Sequence, residues 1–453
     1  MGHIAPFIVF LVSTQHYASA FIVPTTIKSS SHAAPLHRRR TQHGASGVFK
    51  SSGVLDTPSA LNKCRSVDAT RMFSSSSGSN SFGGLESDGS LTTRGGFAKA
   101  VAASGLAALL AGAPSVAEGA SKRTVVVTGA NSGLGLDAAT KLVSLGHEVY
   151  VACRTEAKAK AAASTSGAAG AFACDLSSLE SVRSFAQAWG SKPIDSLCLN
   201  AGRHFFILCV ECSMAPSTKG SVGYSSEGFE VTVGTNHLGH FLLANLLFKS
   251  LEAGATGEPR LIVTASSVHD PDTPGGNVGS KATLGDLSGL EGYLAAEGAS
   301  KKFDMVDGGE YDGDKAYKDS KLCNVLFTLE AQRRLSAKKS RVKADCFSPG
   351  LITSSGLFRN QNPIFSKIFD LAATYILKVA ATISQGGDTL VAMVTKLSLE
   401  DDAGGRFFAT NPGKPDSAFG PQDVSIEARD TEKAKRLWDL SAQCVNLGSK
   451  TVI

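Results

Sequence analysis

Apolar and polar residues alternate in blocks from Lys122 onward. "TVVVTG" is a short β-branched run closed by a glycine. A helical pattern follows, with Leu136, Ala139, Leu142 and Val143 on one face and Gly146 placed as a C-terminal cap. The unit then recurs: "EVYVACR", a helix of Lys and Ala, "AFACDL", another helix, "IDSLCLNAG", and later "RLIVTASS", "RVKADCFSPG" and "GRFFATN". Strands that are apolar throughout must be covered on both faces, so the pattern predicts a doubly wound, mainly parallel α/β sheet of seven strands. It forms one domain over 121–446, with no internal repeat. Ligands of such sheets bind beyond the C-terminal ends of the strands. Within "DGDKAYKDSKLCNVLF", Leu322, Val325, Leu326 and Leu329 recur at helical spacing. A helix there stacks Tyr317 and Lys321 on one face, one turn apart.

Residues 1–120 have a different texture. "HIAPFIVFLV" and the "ASA" before Phe21 match the apolar run and cleavage site of a signal peptide, 1–20. Residues 21–96 are Ser-rich, basic and poor in acids, a composition that cannot bury a core and that fits a transit peptide. In 97–120 the run "FAKAVAASGLAALLAGAPSVA" is only weakly apolar, because Ala and Gly contribute little to insertion. A further targeting signal, a loose membrane anchor and a linker helix all stay open for it.

Charge and cysteine usage narrow the function classes. Residues 1–120 hold 10 Lys and Arg against 5 Asp and Glu, out of totals of 45 and 40, so the rest of the chain carries 35 of each. A neutral body gives no electrostatic case for nucleic acid. The nine cysteines are scattered. Cys209 and Cys212 form a lone CxxC without the second pair a zinc site needs, and no metal site is expected.

Candidate chemistry concentrates at strand ends. "TGANSGLG" closes the first strand and opens the first helix. Gly129 permits the sharp turn, Gly133 lets the backbone approach a phosphate, and Gly135 lets helix pack on strand, with Asn131, Ser132 and Leu134 between them. The helix N-terminus offers unpaired N–H groups to a pyrophosphate. In this strand–turn–helix context the run predicts a Rossmann-type dinucleotide site, with a purely structural glycine turn as the alternative. Where an NAD enzyme has an acid after the second strand, this chain has Arg154, with Lys158 one turn on, which suits the 2′-phosphate of NADPH. Asp175 and Leu176, after the third strand, are placed to meet the adenine. A cation beside a phenol favours phenolate, so Lys321 is expected to lower the pKa of Tyr317 and make it a usable acid. A chance YxxxK is the dull alternative.

Taken jointly, TGxxxGxG, then Asn200–Ala201–Gly202, a serine after the fifth strand (Ser267) and YxxxK resemble the short-chain dehydrogenase/reductase family. Asn236 in "VGTNHLGHF" matches the asparagine that supports that family's catalytic helix, and His237 and His240 beside it read as packing residues. The stretches "EGFEVTVGTNHLGHFLLANLLF", "GGNVGSKATLGDLSGL", "MVDGGEYDGDKAYKDSKLCN" and "GLFRNQNPIF" narrow the likeness to the light-dependent protochlorophyllide oxidoreductases, over most of 122–445. The resemblance implies an NADPH enzyme that reduces the C17–C18 double bond of protochlorophyllide in light. It implies Tyr317 as proton donor, Lys321 as holder of the nicotinamide ribose, Asn236 and Ser267 as their support, and Pro349–Gly350 as a border of the nicotinamide. It places Cys323 and Leu351 at the substrate. With the leader, it implies the two-part plastid import signal of algae with secondary plastids. The protein would then lie in the stroma or peripherally at the thylakoid membrane, with self-association left open.

The chain also departs from that family. After "SPG" the light-dependent enzymes carry a cysteine, and here the residue is Leu351, which has no ionisable proton. Residues 203–224 differ from the family's loop after NAG. Cys346, in the preceding strand, reads as packing. The alternatives are therefore a paralogous NADPH reductase of another substrate, an ordinary alcohol- or retinol-type dehydrogenase, and a catalytically silent binder of pigment or NADPH. The acidic "DGGEYDGD" lacks the ligand spacing of a calcium loop.

Overall fold

A computed structural model describes residues 122–203, 222–298, 301–352, 380–395, 404–411, 417–447 and 453. The leader, Cys209, Cys212, most of the post-NAG loop and "GLFRNQNPIF" lie outside the described residues.

The apolar runs form strands where expected. β1 (Thr124–Thr128), β2 (Glu148–Cys153), β3 (Gly170–Ala173), β4 (Ser196–Leu199), β5 (Arg260–Thr264), β6 (Lys343–Phe347) and β7 (Phe407–Ala409) are parallel neighbours in the order 3-2-1-4-5-6-7. An eighth strand, β8 (Gly420–Gln422), adds antiparallel to β7, one more than the seven expected. Its sequence "GPQ" carries no apolar signal, and a proline that cannot donate to the ladder is tolerated only at such an edge.

Helices α1 (Gly133–Ser144), α2 (Glu156–Ser166) and α3 (Leu179–Trp189) follow the first three strands. Thr155 and Ser178 cap α2 and α3 through their side-chain oxygens, and Gly146 takes φ +85° just after α1. On α3 the buried Leu179, Val182, Phe185 and Trp189 recur at helical spacing. A π-helical turn, Gly234–Leu238, opens into α4 (Gly239–Glu252). The insert before the tyrosine carries α5 (Ser288–Ala295) and leads to α6 (Gly313–Ala337). α7 (Ile383–Thr395) and α8 (Thr431–Cys444) follow. α7 lies close on α1 because Gly386 and Gly387 have no side chain: a Cβ at 387 would stand 1.9 Å from Asp137 Oδ2, and one at 386 would stand 2.3 Å from Ile352 Cδ1. Lys141 of α1 bonds Asp137 at 2.7 Å and Asp388 of α7 at 2.8 Å.

α6 carries the Tyr–Lys pair, and the insert fixes its N-terminal half. Asp312 caps the helix, accepting from Asp314 N and Lys315 N. Lys315 reaches Asp307 (2.9 Å), Asp319 (2.5 Å) and the Thr283 carbonyl (2.7 Å). Lys318 pairs with Asp314 at 2.8 Å and donates to the carbonyls of Val278 and Ser280. Asp307, Asp312 and Asp314 of "DGGEYDGD" thus bind lysines and cap a helix. Further along, Phe327 of α6 packs with Phe241 of α4 and Trp438 of α8.

Candidate active site

One cleft runs along the C-terminal ends of the parallel strands. Every residue expected at the cofactor lines it: Gly129, Asn131, Ser132, Gly133, Leu134 and Gly135, Arg154 and Lys158, Asp175 and Leu176, Asn200, Ala201 and Gly202, Tyr317 and Lys321, and Pro349 and Gly350. The turn after β1 shows why two of its positions must be glycine. Gly129 has φ +69°, and a Cβ there would meet the Ala201 Cα at 2.7 Å. A Cβ on Gly135 would meet Asn200 Nδ2 at 2.6 Å.

Thr128 ties this turn to the next. Its Oγ1 accepts from Asn200 N (2.8 Å) and Ala201 N (3.0 Å), and its carbonyl accepts from Asn200 Nδ2 (2.9 Å). Thr128 Oγ1 also lies 3.0 Å from His240 Nε2, while His240 Nδ1 lies 3.1 Å from the Asn236 carbonyl. A carbonyl can only accept, so Nδ1 carries the proton and Nε2 accepts from the Thr128 hydroxyl. His240 therefore bridges the π-turn to the glycine turn. His237 bonds Ser441 Oγ at 2.9 Å. Burial pushes His237 down to about 4 and His240 to about 3, so both are neutral. Both pack, as expected, and His240 also bridges.

Asn236 lies at the centre of the π-turn and is fully buried. Its Oδ1 accepts from Arg203 N (2.7 Å), and its Nδ2 donates to the Arg203 carbonyl (2.9 Å) and to Ser320 Oγ (3.0 Å). It thus joins the post-NAG chain to α6. Lys321 Nζ donates to the Thr264 carbonyl at 3.1 Å and lies 5.5 Å from the centre of the Tyr317 ring.

Four expectations need correction. The serine bonded to the Tyr317 hydroxyl is Ser266, not Ser267: Ser266 lines the cleft, while Ser267 donates its N–H to Ser348 Oγ and accepts at its carbonyl from Thr273. Cys323 does not face the cleft. It sits two residues past Lys321, on the far side of the helix, fully buried in the core, where burial raises its thiol well above the usual range. Lys321 does not bring the phenol down. Burial raises Tyr317 to about 12, with the Ser266 bond pulling weakly the other way, and burial lowers Lys321 to about 8. Leu351 stands outside the lining, 39% exposed and bridged to Ala380, and Ile352 lines the cleft instead. Cys346 packs in the core.

Sequence reading missed Arg203, Thr235, Thr264, Ser266 and Ile352 among the lining residues. Thr235 and Ser266 each adjoin a residue that had been singled out. Asn200 Oδ1, Thr235 Oγ1 and Thr264 Oγ1 are buried cleft atoms with no hydrogen-bond partner among the described residues. Such atoms are costly unless a ligand pairs them. Gly133 has φ +56° with nothing within 4 Å of a built Cβ, which leaves a phosphate room at the uncapped N-terminus of α1. Arg154 and Lys158 are exposed at the outer end. These residues fit NADPH.

Residues 123–301 match the short chain dehydrogenase family. A carrot (Daucus carota) chain named protochlorophyllide reductase, chloroplastic, is 39% identical over 333 residues, 72% of this chain and 79% of that one. The Chlamydomonas reinhardtii chain of the same name is 37% identical over 335 residues, with the same 72% and 79% coverage. A solved structure of an uncharacterised Mycobacterium paratuberculosis protein superposes with a TM-score of 0.50 at 29% identity, covering 75% of this chain and 97% of that one. Sheet, glycine turn and Tyr–Lys cleft define an oxidoreductase of the short-chain dehydrogenase class. Within that class, the chain belongs to the protochlorophyllide reductase family.

Proposed function

We propose that this protein reduces the C17–C18 double bond of protochlorophyllide to give chlorophyllide, driven by light absorbed by the bound pigment, as a step of chlorophyll synthesis in the plastid. The observation that carries the reading is the Ser266–Tyr317–Lys321 group in one cleft with the Arg154–Lys158 end, backed by the buried Asn236 through Ser320. It stands on a chain whose relatives at 37–39% identity are named chloroplastic protochlorophyllide reductases.

When bound, NADPH supplies the hydride, which C17 receives. A pKa near 12 keeps Tyr317 a protonated phenol at neutral pH, ready to give its proton to C18. Ser266 orients the hydroxyl. The phenolate left behind is a strong base beside Lys321, whose ammonium, near 8, can return the proton. Asn236 holds Ser320 of the same helix and so fixes where both groups stand.

Purified protein with NADPH and protochlorophyllide tests this directly. The pigment's red band should shift to that of chlorophyllide in light and stay unchanged in darkness or without NADPH. NADPH binding without any photoconversion would favour the second reading, a paralogous reductase, for which Leu351 in place of the family's cysteine is the motivating observation. The leader reading (1–20 signal, 21–96 transit, 97–120 apolar segment) belongs to the same proposal and is tested by plastid import of reporter fusions. Peripheral thylakoid contact and self-association are its finer parts, tested by vesicle flotation and by the mass of the protein in solution. No described helix is long and apolar enough to cross a membrane.

A further inference from the structure

The two ends of the cleft differ in what their cations can serve. Arg154, Lys158 and the N-terminus of α1 answer the phosphates of NADPH. Arg203 stands at the other end, and the cofactor does not account for it. It lines the cleft directly after Gly202, where a built Cβ would lie 3.9 Å from Lys321 Nζ and 3.6 Å from Asn236 Oδ1. Its backbone is held on both sides by the buried Asn236 amide, at 2.7 and 2.9 Å. Residue 203 is therefore fixed beside the reacting groups. Asp175, at the adenine end, is the one acid among the described lining residues.

Two ionisable groups share the field of this guanidinium, Glu230 and Tyr311. Glu230 is fully buried and within electrostatic reach of Arg203, and its two side-chain oxygens accept from Thr232 N and Val233 N, each at 2.9 Å. The Tyr311 phenol lies in the same field. A guanidinium has five donors in a rigid fork, so it can face a buried acid and still present N–H groups to a carboxylate. Lys321 cannot take that role: it is committed to the Thr264 carbonyl and to Tyr317, and with a pKa near 8 it is only partly charged in mildly alkaline solution.

Protochlorophyllide carries a free propionate on C17, the carbon that receives the hydride. Its carboxylate lies three bonds from the reacting atom, and so in the same end of the cleft. Resting on the reading above, we propose that Arg203 binds the C17 propionate and selects the free acid over its ester. Arg203 is then a specificity-determining residue. It locates C17 against Tyr317 by its grip on the nearest charged group of the pigment.

The test uses the protein with NADPH, the free acid and its C17 methyl ester, and the substitutions Arg203→Gln and Arg203→Lys. Dark binding is followed by pigment fluorescence, and single-flash conversion by absorbance. The unsubstituted protein should bind the acid about tenfold or more tighter than the ester, the range of a charge-assisted hydrogen bond. Arg203→Gln should erase that preference by weakening the acid alone, and Arg203→Lys should keep part of it. The flash yield of the bound complex should change less than the affinity. Equal weakening of acid and ester by Arg203→Gln would assign Arg203 a structural role and overturn the proposal, as would an unsubstituted protein that does not discriminate. Absence of photoconversion, with dark discrimination intact, would sink the reductase reading and leave the carboxylate site standing. Binding of neither pigment would overturn both.

Discussion

Burial moves Tyr317 and Lys321 in opposite directions on the pH scale: the phenol holds its proton more tightly and the ammonium less. Tyr317→Phe keeps the ring and removes the proton. It should slow the chemical step by about two to four orders of magnitude, read by single-flash turnover, with NADPH affinity nearly intact. Ser266→Ala should slow the same step markedly, and Ser267→Ala should leave it near normal; the reverse ranking would restore Ser267. Arg154→Ala should weaken NADPH by roughly tenfold while sparing NADH, because it removes one charge-assisted contact to the extra phosphate. Equal loss for both cofactors in a titration would remove Arg154 from phosphate recognition. At this scale the sequence was legible where a residue type is demanded by backbone geometry, as at Gly129 and Gly135. It was ambiguous at "SS", where only the fold decides which of two hydroxyls faces the phenol. It misled at Cys323, because proximity in sequence to Lys321 means little on a helix whose faces turn 100° per residue.

Among the elements, the π-turn at Gly234–Leu238 and α4 depend on two histidines that must stay neutral. Their folded pKa values, about 4 and about 3, lie below the ordinary 6.5. Between those values the unfolded chain binds more protons than the folded one. Stability from this source is therefore fully present above 6.5 and is lost as pH falls towards 4 and then 3. The urea midpoint should drop over that interval, and replacing His237 by a neutral residue of similar size should flatten the drop. A midpoint independent of pH there would mean that the histidines are charged or exposed. The seven main strands and the Tyr–Lys helix could be read from hydrophobic period alone. The π-turn could not, since one extra residue in a helical turn leaves no mark in the period. β8 was missed because three residues including a proline carry no pattern. The role of the acidic insert was also hidden, because its partners Lys315 and Lys318 only meet it once α6 has formed.

Across the whole molecule, every described residue lies beyond residue 121, and the strands, both core layers and the cleft come from that part of the chain. Removing residues 1–120 should leave a folded protein with unchanged NADPH affinity, checked by calorimetric binding and circular dichroism. Loss of binding with the fold retained would place part of the cofactor site in the leader. The surplus of basic residues lies entirely in 1–120.

The close seating of α7 on α1 has a consequence for how this site can be tuned. α1 lends its first turn to the cleft, and Ile352 walls it, yet both are backed by the bare surface of Gly386 and Gly387. A single methyl at 387 would displace the Asp137 carboxylate, and with it the Lys141 link to Asp388. The hold on the nucleotide is therefore adjustable from behind, by steric bulk alone. A lineage under pressure to loosen or tighten that hold could do so at these two positions and leave every polar contact in the cleft untouched.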